Sequence, residues 1–334
     1  MELFIWAVVF AVSLVLVVKG ADWFLDSAEK IGLAMGLSSF VIGVVIVGLG
    51  TSLPELVAAL AAIVHGAGEL VAANVVGSNI ANILLIVGLT AAISGKLAVS
   101  KSLIDLDIPL LTIATVFGVA VMADGVVMPI EAWFLILSFV VFLIYSMRNG
   151  NSPEEGGEIS QLFSFKRRPK IEITNIGDDP KTEGGRLSLR DFLWLFVGLG
   201  ALVLGGHYLV ESVIGVSGIL GIGVGVISLV AVAVGTSLPE LAVSIKAVFS
   251  GKHEVALGNI FGSNVFNILL VLGLPGIFVP LVVDQTTFTL GLPVMIAATF
   301  FFVLSGISKR IHSYEGTLYI LMYIFFVGKI FGFF

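Results

Sequence analysis

The sequence predicts an all-α polytopic membrane protein, with ten transmembrane helices in two inverted five-helix repeats and breaks in the second and seventh helices. Three observations carry this. The chain is 58% hydrophobic and 12% charged, against roughly a quarter charged in soluble domains. Its apolar residues fall in runs of about 20, the length that crosses a bilayer. One string, Gly-Thr-Ser-Leu-Pro-Glu, stands twice inside such runs, at Gly50–Glu55 and at Gly235–Glu240.

Mean hydropathy is +1.12, which excludes an ordinary water-soluble fold. Cysteine is absent, removing disulfides, thiolate metal sites and thiol nucleophiles, and the four histidines are scattered. Residues 3–27 follow no basic stretch and precede no cleavage signature, so they read as a retained first span and not as a signal peptide. Further apolar runs cover 38–64, 70–93, 107–123 and 127–147. A second set covers 191–212, 218–249, 254–278, 287–305 and 316–333. The polar stretch between the sets divides the chain into a first repeat (1–147), a loop (148–190) and a second repeat (191–334).

Basic residues orient the spans. Lys19, Lys30, Lys96, Lys101, Lys246, Lys252, Lys309 and Arg310 fall on the side that holds the loop, which adds eight more from Arg148 to Arg190. Of the 17 lysines and arginines, only Lys329 leans the other way. The expected placement is a multi-pass protein of the cell membrane with a cytoplasmic loop and both termini extracellular. The loop reads as a solvated linker on composition, with Phe163–Lys170 mixing aromatics and basic residues in a way suited to lipid contact or regulation.

The two strings are 185 residues apart, and the offset recurs. Asn74, Gly77, Ser78, Asn79, Asn82 and Gly88 have identical partners in Asn259, Gly262, Ser263, Asn264, Asn267 and Gly273, and Gly20 matches Gly205. Five is odd, so a second copy of five spans enters the membrane inverted. The charges agree. Lys30 precedes the first string where Gly215 precedes the second, while Lys246 and Lys252 follow the second where Ala61 and Ala67 follow the first. Inverted repeats place substrate sites near the midplane, on broken helices.

Pro54 lacks an N–H and crowds the carbonyl of Gly50, and Pro239 does the same to Gly235. Each span should open there, leaving carbonyls that lipid tolerates only if something else satisfies them. Thr51, Ser52, Thr236 and Ser237 add hydroxyls, and Glu55 and Glu240 add one carboxylate per copy. Ser78 and Asn82 share a helical face, as do Ser263 and Asn267. This oxygen-only inventory suits hard cations such as Ca²⁺ and Na⁺ and not softer transition metals. Ser52-x-x-Glu55 and Ser237-x-x-Glu240 also have capping-box spacing. A glutamate buried in lipid for capping alone would cost several kcal/mol. Asp22, Asp26, Glu29 and Glu211 read as interfacial charges.

These motifs resemble the cation/Ca²⁺ antiporter superfamily, specifically its prokaryotic Na⁺/Ca²⁺ exchanger branch. The resemblance rests on GTSLPE twice, on Gly258–Asn267, and on Ala73–Asn82 with alanine in place of the leading glycine. It implies that Glu55 and Glu240 coordinate Ca²⁺ together with the main-chain carbonyls of Thr51 and Thr236. It implies flanking Na⁺ sites at Ser52, Ser78, Ser237 and Ser263 with the carbonyls of Gly48 and Ala233, and Asn82 and Asn267 at the centre. Spans one and six would slide against the other eight. Some relatives carry aspartate where this chain has Asn267, an acid associated with K⁺ co-transport; two asparagines point away from K⁺ dependence.

The resulting expectation is a secondary active antiporter, functional as a monomer, exchanging Ca²⁺ for Na⁺ by alternating access, electrogenic once more than two Na⁺ load. The transported ions are its substrates, and no cofactor or nucleic-acid partner is implied. An H⁺/Ca²⁺ antiporter is the alternative, since paired buried glutamates exchange protons readily. A cation channel would need a continuous pore, and an enzyme lacks a nucleophile–base pair near these serines.

Overall fold

The computed structural model describes residues 2–64, 66, 68–98, 108–149, 187–219 and 237–333. The chain is almost wholly helical. Lipid offers backbone groups no partner, so each apolar run satisfies its own as a helix. The first repeat contains α1 (Glu2–Ala34), α2 (residues 39–51), α3 (Leu53–Val64), α4 (Glu69–Ser94), α5 (Ile108–Met122) and α6 (Pro129–Asn149). The second contains α7 (Leu189–Ile219), α8 (Leu238–Phe249), α9 (His253–Phe278), α10 (Thr287–Ile307) and α11 (Ser313–Ile330). Among the described residues, seven helices are long and apolar enough to cross a membrane, the α2–α3 pair counting as one, and α5 is a shorter apolar helix.

Two expected boundaries move. α1 runs on to Ala34, and α7, the sixth predicted span, continues to Ile219, beyond the predicted end at residue 212. The loop expected at 148–190, including Phe163–Lys170, lies outside the described residues between 150 and 186.

α1 and α7 lie antiparallel along a small-residue seam. A Cβ on Gly20 would stand 2.8 Å from the Leu202 nitrogen, and one on Gly205 would stand 3.0 Å from the Val17 nitrogen. These are the same contact with the copies exchanged, since an offset of 185 carries Gly20 to Gly205 and Val17 to Leu202. Trp23 and Trp194 close one end of the seam with ring centroids 5.1 Å apart.

Two short antiparallel strand pairs obey the same exchange. β1 (Lys96–Ala98) pairs with β4 (Arg310–His312), and β2 (Val126–Val127) pairs with β3 (Leu281–Val282). The offset turns Lys96↔His312 into Leu281↔Val127, and both pairings are present. The copies are therefore related by a pseudo-two-fold, each closing its partner's helix connections.

The interior holds α4 and α9, with α9 buried along nearly its whole length. α2 crosses α9 backbone to backbone, since a Cβ on Gly262 would meet the Val44 carbonyl oxygen at 2.4 Å. Outward faces are apolar, with Phe4, Val57, Ile130 and Phe196 exposed, as lipid contact requires.

Asp22 and Glu29 are not merely interfacial charges. Asp22 pairs with Lys246 at 2.7 Å and Glu29 pairs with Lys252, tying α1 to the far end of α8 and its turn. Asp26 is exposed, as expected for an interfacial charge.

Gly262→Ala should lower the thermal midpoint of the purified protein by several degrees or prevent its accumulation, because a carbonyl cannot retreat as a side chain can. Gly200→Ala, with nothing within 4 Å of the added methyl, should leave the midpoint within about one degree. Thermal unfolding in detergent reads both.

Candidate functional site

The first string joins α2 to α3. α2 is not a uniform helix, since residues Ile42–Val47 take wide i→i+5 turns and a turn at Ser52 separates it from α3. Pro54 stands in the first turn of α3, where its missing N–H costs least. Ser52 holds φ −88° and ψ 4°, and its N–H bonds back to Gly48. The second string is described from Ser237 onward, with nearly the same geometry at that serine, φ −91° and ψ 6°. Thr236 and Ala233 lie outside the described residues.

The wide turns recur where the asparagines stand. Asn82 lies in the segment Ala81–Val87 and Asn267 opens Asn267–Val271, with the Leu272 N–H bonded to the Asn267 carbonyl. Such turns are frequent at functional positions in helices, although a further one at Thr287–Gly291 lies apart from these residues. α3, carrying Glu55, packs on the turn of Asn267, and α8, carrying Glu240, packs on the turn of Asn82. Each glutamate's helix thus lies against the other copy.

Burial is complete: Glu55 is 1% exposed and Glu240 0%. Thr51, Ser52, Ser78, Asn82, Ser237, Ser263 and Asn267 are all buried with them, as is Gly48. The bonds that run between copies define the centre. Ser52 Oγ donates to Glu240 Oε1 at 3.0 Å. Thr51 Oγ1 donates to Asn259 Oδ1 at 3.0 Å and lies 3.4 Å from Ser263 Oγ. Ser263 Oγ donates weakly to the Gly48 carbonyl at 3.4 Å.

Ser237 makes no side-chain cap bond, so the capping box its spacing allows does not form, and the hydroxyl of Ser52 donates to the other copy's glutamate.

Many buried polar atoms have no hydrogen-bond partner among the described residues. They include both oxygens of Glu55, Oε2 of Glu240, the hydroxyls of Ser78 and Ser237, and both amide atoms of Asn82 and Asn267. A native interior normally satisfies such groups. Concentrated around two carboxylates, these oxygens form a donor set for hard cations, which take six to eight oxygens in the case of Ca²⁺. Among the described residues no lysine, arginine or histidine is buried beside them.

The structure brings together Thr51, Ser52, Ser263, Gly48 and Glu240 through direct bonds. Ser78 and Asn82 are buried on α4, but no hydrogen bond of theirs reaches the others. Two further participants escaped sequence reasoning. Asn259 reaches Thr51, and Ser244 accepts from Asn259 at 2.8 Å. Asn259 stands in the sequence as a repeat match and inside the Gly258–Asn267 motif without an assigned role, and Ser244 has no repeat signal because Ala59 stands at the corresponding position.

The sequence matches the family described as "Sodium/calcium exchanger protein" over residues 5–148 and 191–331. A protein named sodium/calcium exchanger MaX1, from Methanosarcina acetivorans, is 33% identical, the alignment covering 96% of both chains. Inner membrane protein YrbG of Escherichia coli is 32% identical over 88% of this chain and 86% of its own. Among solved structures, the sodium-calcium exchanger NCX_Mj in zero Na⁺ and Ca²⁺ superposes with a TM-score of 0.79, at 26% identity and covering 98% of this chain and 99% of that one. The same exchanger soaked with Na⁺ and Sr²⁺ gives 0.77 at 27% identity, covering 97% of this chain and 98% of that one.

Ca²⁺ should raise the thermal midpoint of the purified protein, since a ligand at 100 times its Kd adds about 2.7 kcal/mol. Mg²⁺ should add much less, because it sheds water reluctantly and demands tight octahedral geometry. Glu240→Gln should abolish the Ca²⁺ shift in the same melting assay.

Proposed function

The chain belongs to the sodium/calcium exchanger family, and from that premise we propose that it is a secondary active antiporter exchanging Ca²⁺ for Na⁺ across the membrane. The family consists of multi-pass membrane transporters, not enzymes. One observation carries the reading: two buried glutamates, one from each copy, share a centre of unpartnered oxygens with no cationic side chain among the described residues.

Charge arithmetic supplies the coupling. Two carboxylates in a low-dielectric interior need about two positive charges to compensate them. One Ca²⁺ or two Na⁺ supply that charge, so the ions compete for the same oxygens. In the proposed assignment, Glu55 and Glu240 hold Ca²⁺ with the carbonyls of Thr51 and Thr236. Ser52, Ser78, Ser237 and Ser263 serve Na⁺ with the carbonyls of Gly48 and Ala233, and Asn82 and Asn267 complete the centre. A Na⁺ load above two leaves the loaded site positive, which makes exchange electrogenic. Neutral Asn82 and Asn267 leave no third carboxylate to favour K⁺.

The ten-span plan, with two inverted repeats over 1–147 and 191–334, is supported by the exchanged contacts of α1 with α7 and of the strand pairs. The basic residues support a cytoplasmic 148–190 loop with both termini outside. α1 and α7 pack chiefly on each other, which suits a pair that slides past the remaining helices to open the site to one side at a time.

The test is Ca²⁺ uptake into proteoliposomes driven by an opposing Na⁺ gradient at clamped pH and voltage. Uptake should follow the Na⁺ gradient and respond to an imposed membrane potential. Glu55→Gln and Glu240→Gln should each reduce it to background while inserting normally, because each removes half the site's formal charge. Uptake that ignores Na⁺ and follows a pH gradient would transfer the assignment to H⁺/Ca²⁺ exchange.

A further inference from the structure

The amide of Asn259 sits where the two copies meet. Its NH₂ group donates to Ser244 Oγ at 2.8 Å and to the Glu240 carbonyl at 3.3 Å. A carbonyl only accepts, so this contact decides which end of the amide faces α8. Oδ1 is left facing Thr51, whose hydroxyl donates to it at 3.0 Å. Asn259, Ser244, Thr51 and Glu240 are each 0% exposed. One side chain therefore joins the first string to the helix that carries the second glutamate.

We propose that Asn259 is a positioning residue of the exchange site, held on α8 so that it keeps the Thr51 hydroxyl proton away from the cation. The inference rests on the exchange reading above. A hydroxyl has one proton and two lone pairs, and only the lone pairs serve a cation. The other acceptors near Thr51, the Gly48 carbonyl and the Ser263 hydroxyl, both stand at 3.4 Å, so the 3.0 Å bond to Asn259 takes the proton. The lone pairs of Thr51 then remain for the side where Ser263 stands. Because Asn259 is itself held by two bonds to α8, the direction of the Thr51 hydroxyl is preset before any ion arrives. Preset oxygens cost a ligand less to order.

The two half-sites differ in this respect. Offset by 185, Asn259 becomes Asn74 but Ser244 becomes Ala59, and the Asn74 Nδ2 is buried without a hydrogen-bond partner among the described residues. The anchored half is thus the Glu240 half. The two carboxylate oxygens of Glu55 lack partners among the described residues.

The experiment is a double-mutant cycle on Na⁺-driven Ca²⁺ uptake by the full-length protein in proteoliposomes, reading KM for Ca²⁺ and Vmax separately. Asn259→Ala should raise KM by about tenfold, the scale of one lost hydrogen bond in a buried site, with Vmax changed less than about twofold. Thr51→Val should raise KM similarly, and the double variant should be no worse than Thr51→Val alone. Ser244→Ala should fall between wild type and Asn259→Ala, and should likewise add nothing to Thr51→Val. Should Asn259→Ala fail to accumulate, the cycle of Ser244→Ala with Thr51→Val decides in its place. Additive increases in KM, or a loss of Vmax at unchanged KM, would overturn the proposal, as would variants identical to an active wild type. A wild type without Na⁺-driven uptake would overturn the exchange reading itself, and this inference with it.

Discussion

Two carboxylates stand fully buried inside a protein whose outer face is hydrocarbon, and the rest of the centre answers to that. Among the described residues no cationic side chain lies buried with them. An ionised carboxylate in such surroundings costs several kcal/mol unless something positive compensates it. The protein surrounds the pair with hydroxyls, amides and wide-turn helices, all neutral and oxygen-bearing. Compensation therefore has to come from outside this set of side chains, which is the physical basis of the proposed exchange site.

Bringing the carboxylates together requires helices of opposite copies to approach at backbone distance. Gly262 allows α9 to lie against the Val44 carbonyl of α2, where any Cβ would collide. The same device holds α1 to α7 through Gly20 and Gly205. In lipid, where apolar surface alone gives no reason to associate, small residues that admit close packing do this. The α1–α7 pair differs in being set on the flank, joined to α8 at one end by Asp22–Lys246 and Glu29–Lys252. Partly exposed ion pairs of this kind contribute little to stability. They do fix which part of α8 sits beside which part of α1.

Much of this was legible in the linear chain. Identical residues 185 apart named Ser78, Asn82, Ser263 and Asn267 beside the two strings, and all of them are buried in the core. Helix starts for α4, α9 and α10 fall within a residue of the ends of the apolar runs. The misses share a cause. Ser52 has the spacing of a cap yet bonds to Glu240, 188 positions away. Asp22 and Glu29 look like surface charges until Lys246 and Lys252 arrive from the other copy. A repeat search sees only what is duplicated, so Ser244, facing Ala59 across the offset, leaves no trace.

The sequence by itself determined the hydrophobic spans, the duplication and the chemical type of the site, because periodicity, composition and identical strings are local properties of the chain. Tertiary structure alone decided the pairings: which hydroxyl meets which carboxylate, that Asn259 bridges the copies, and that the two halves are unequal. Those facts depend on helices far apart in sequence meeting at distances of about 3 Å, where one missing Cβ or one rotated amide changes the partner. No linear pattern encodes such contacts, since each is set by the packing of every helix between them.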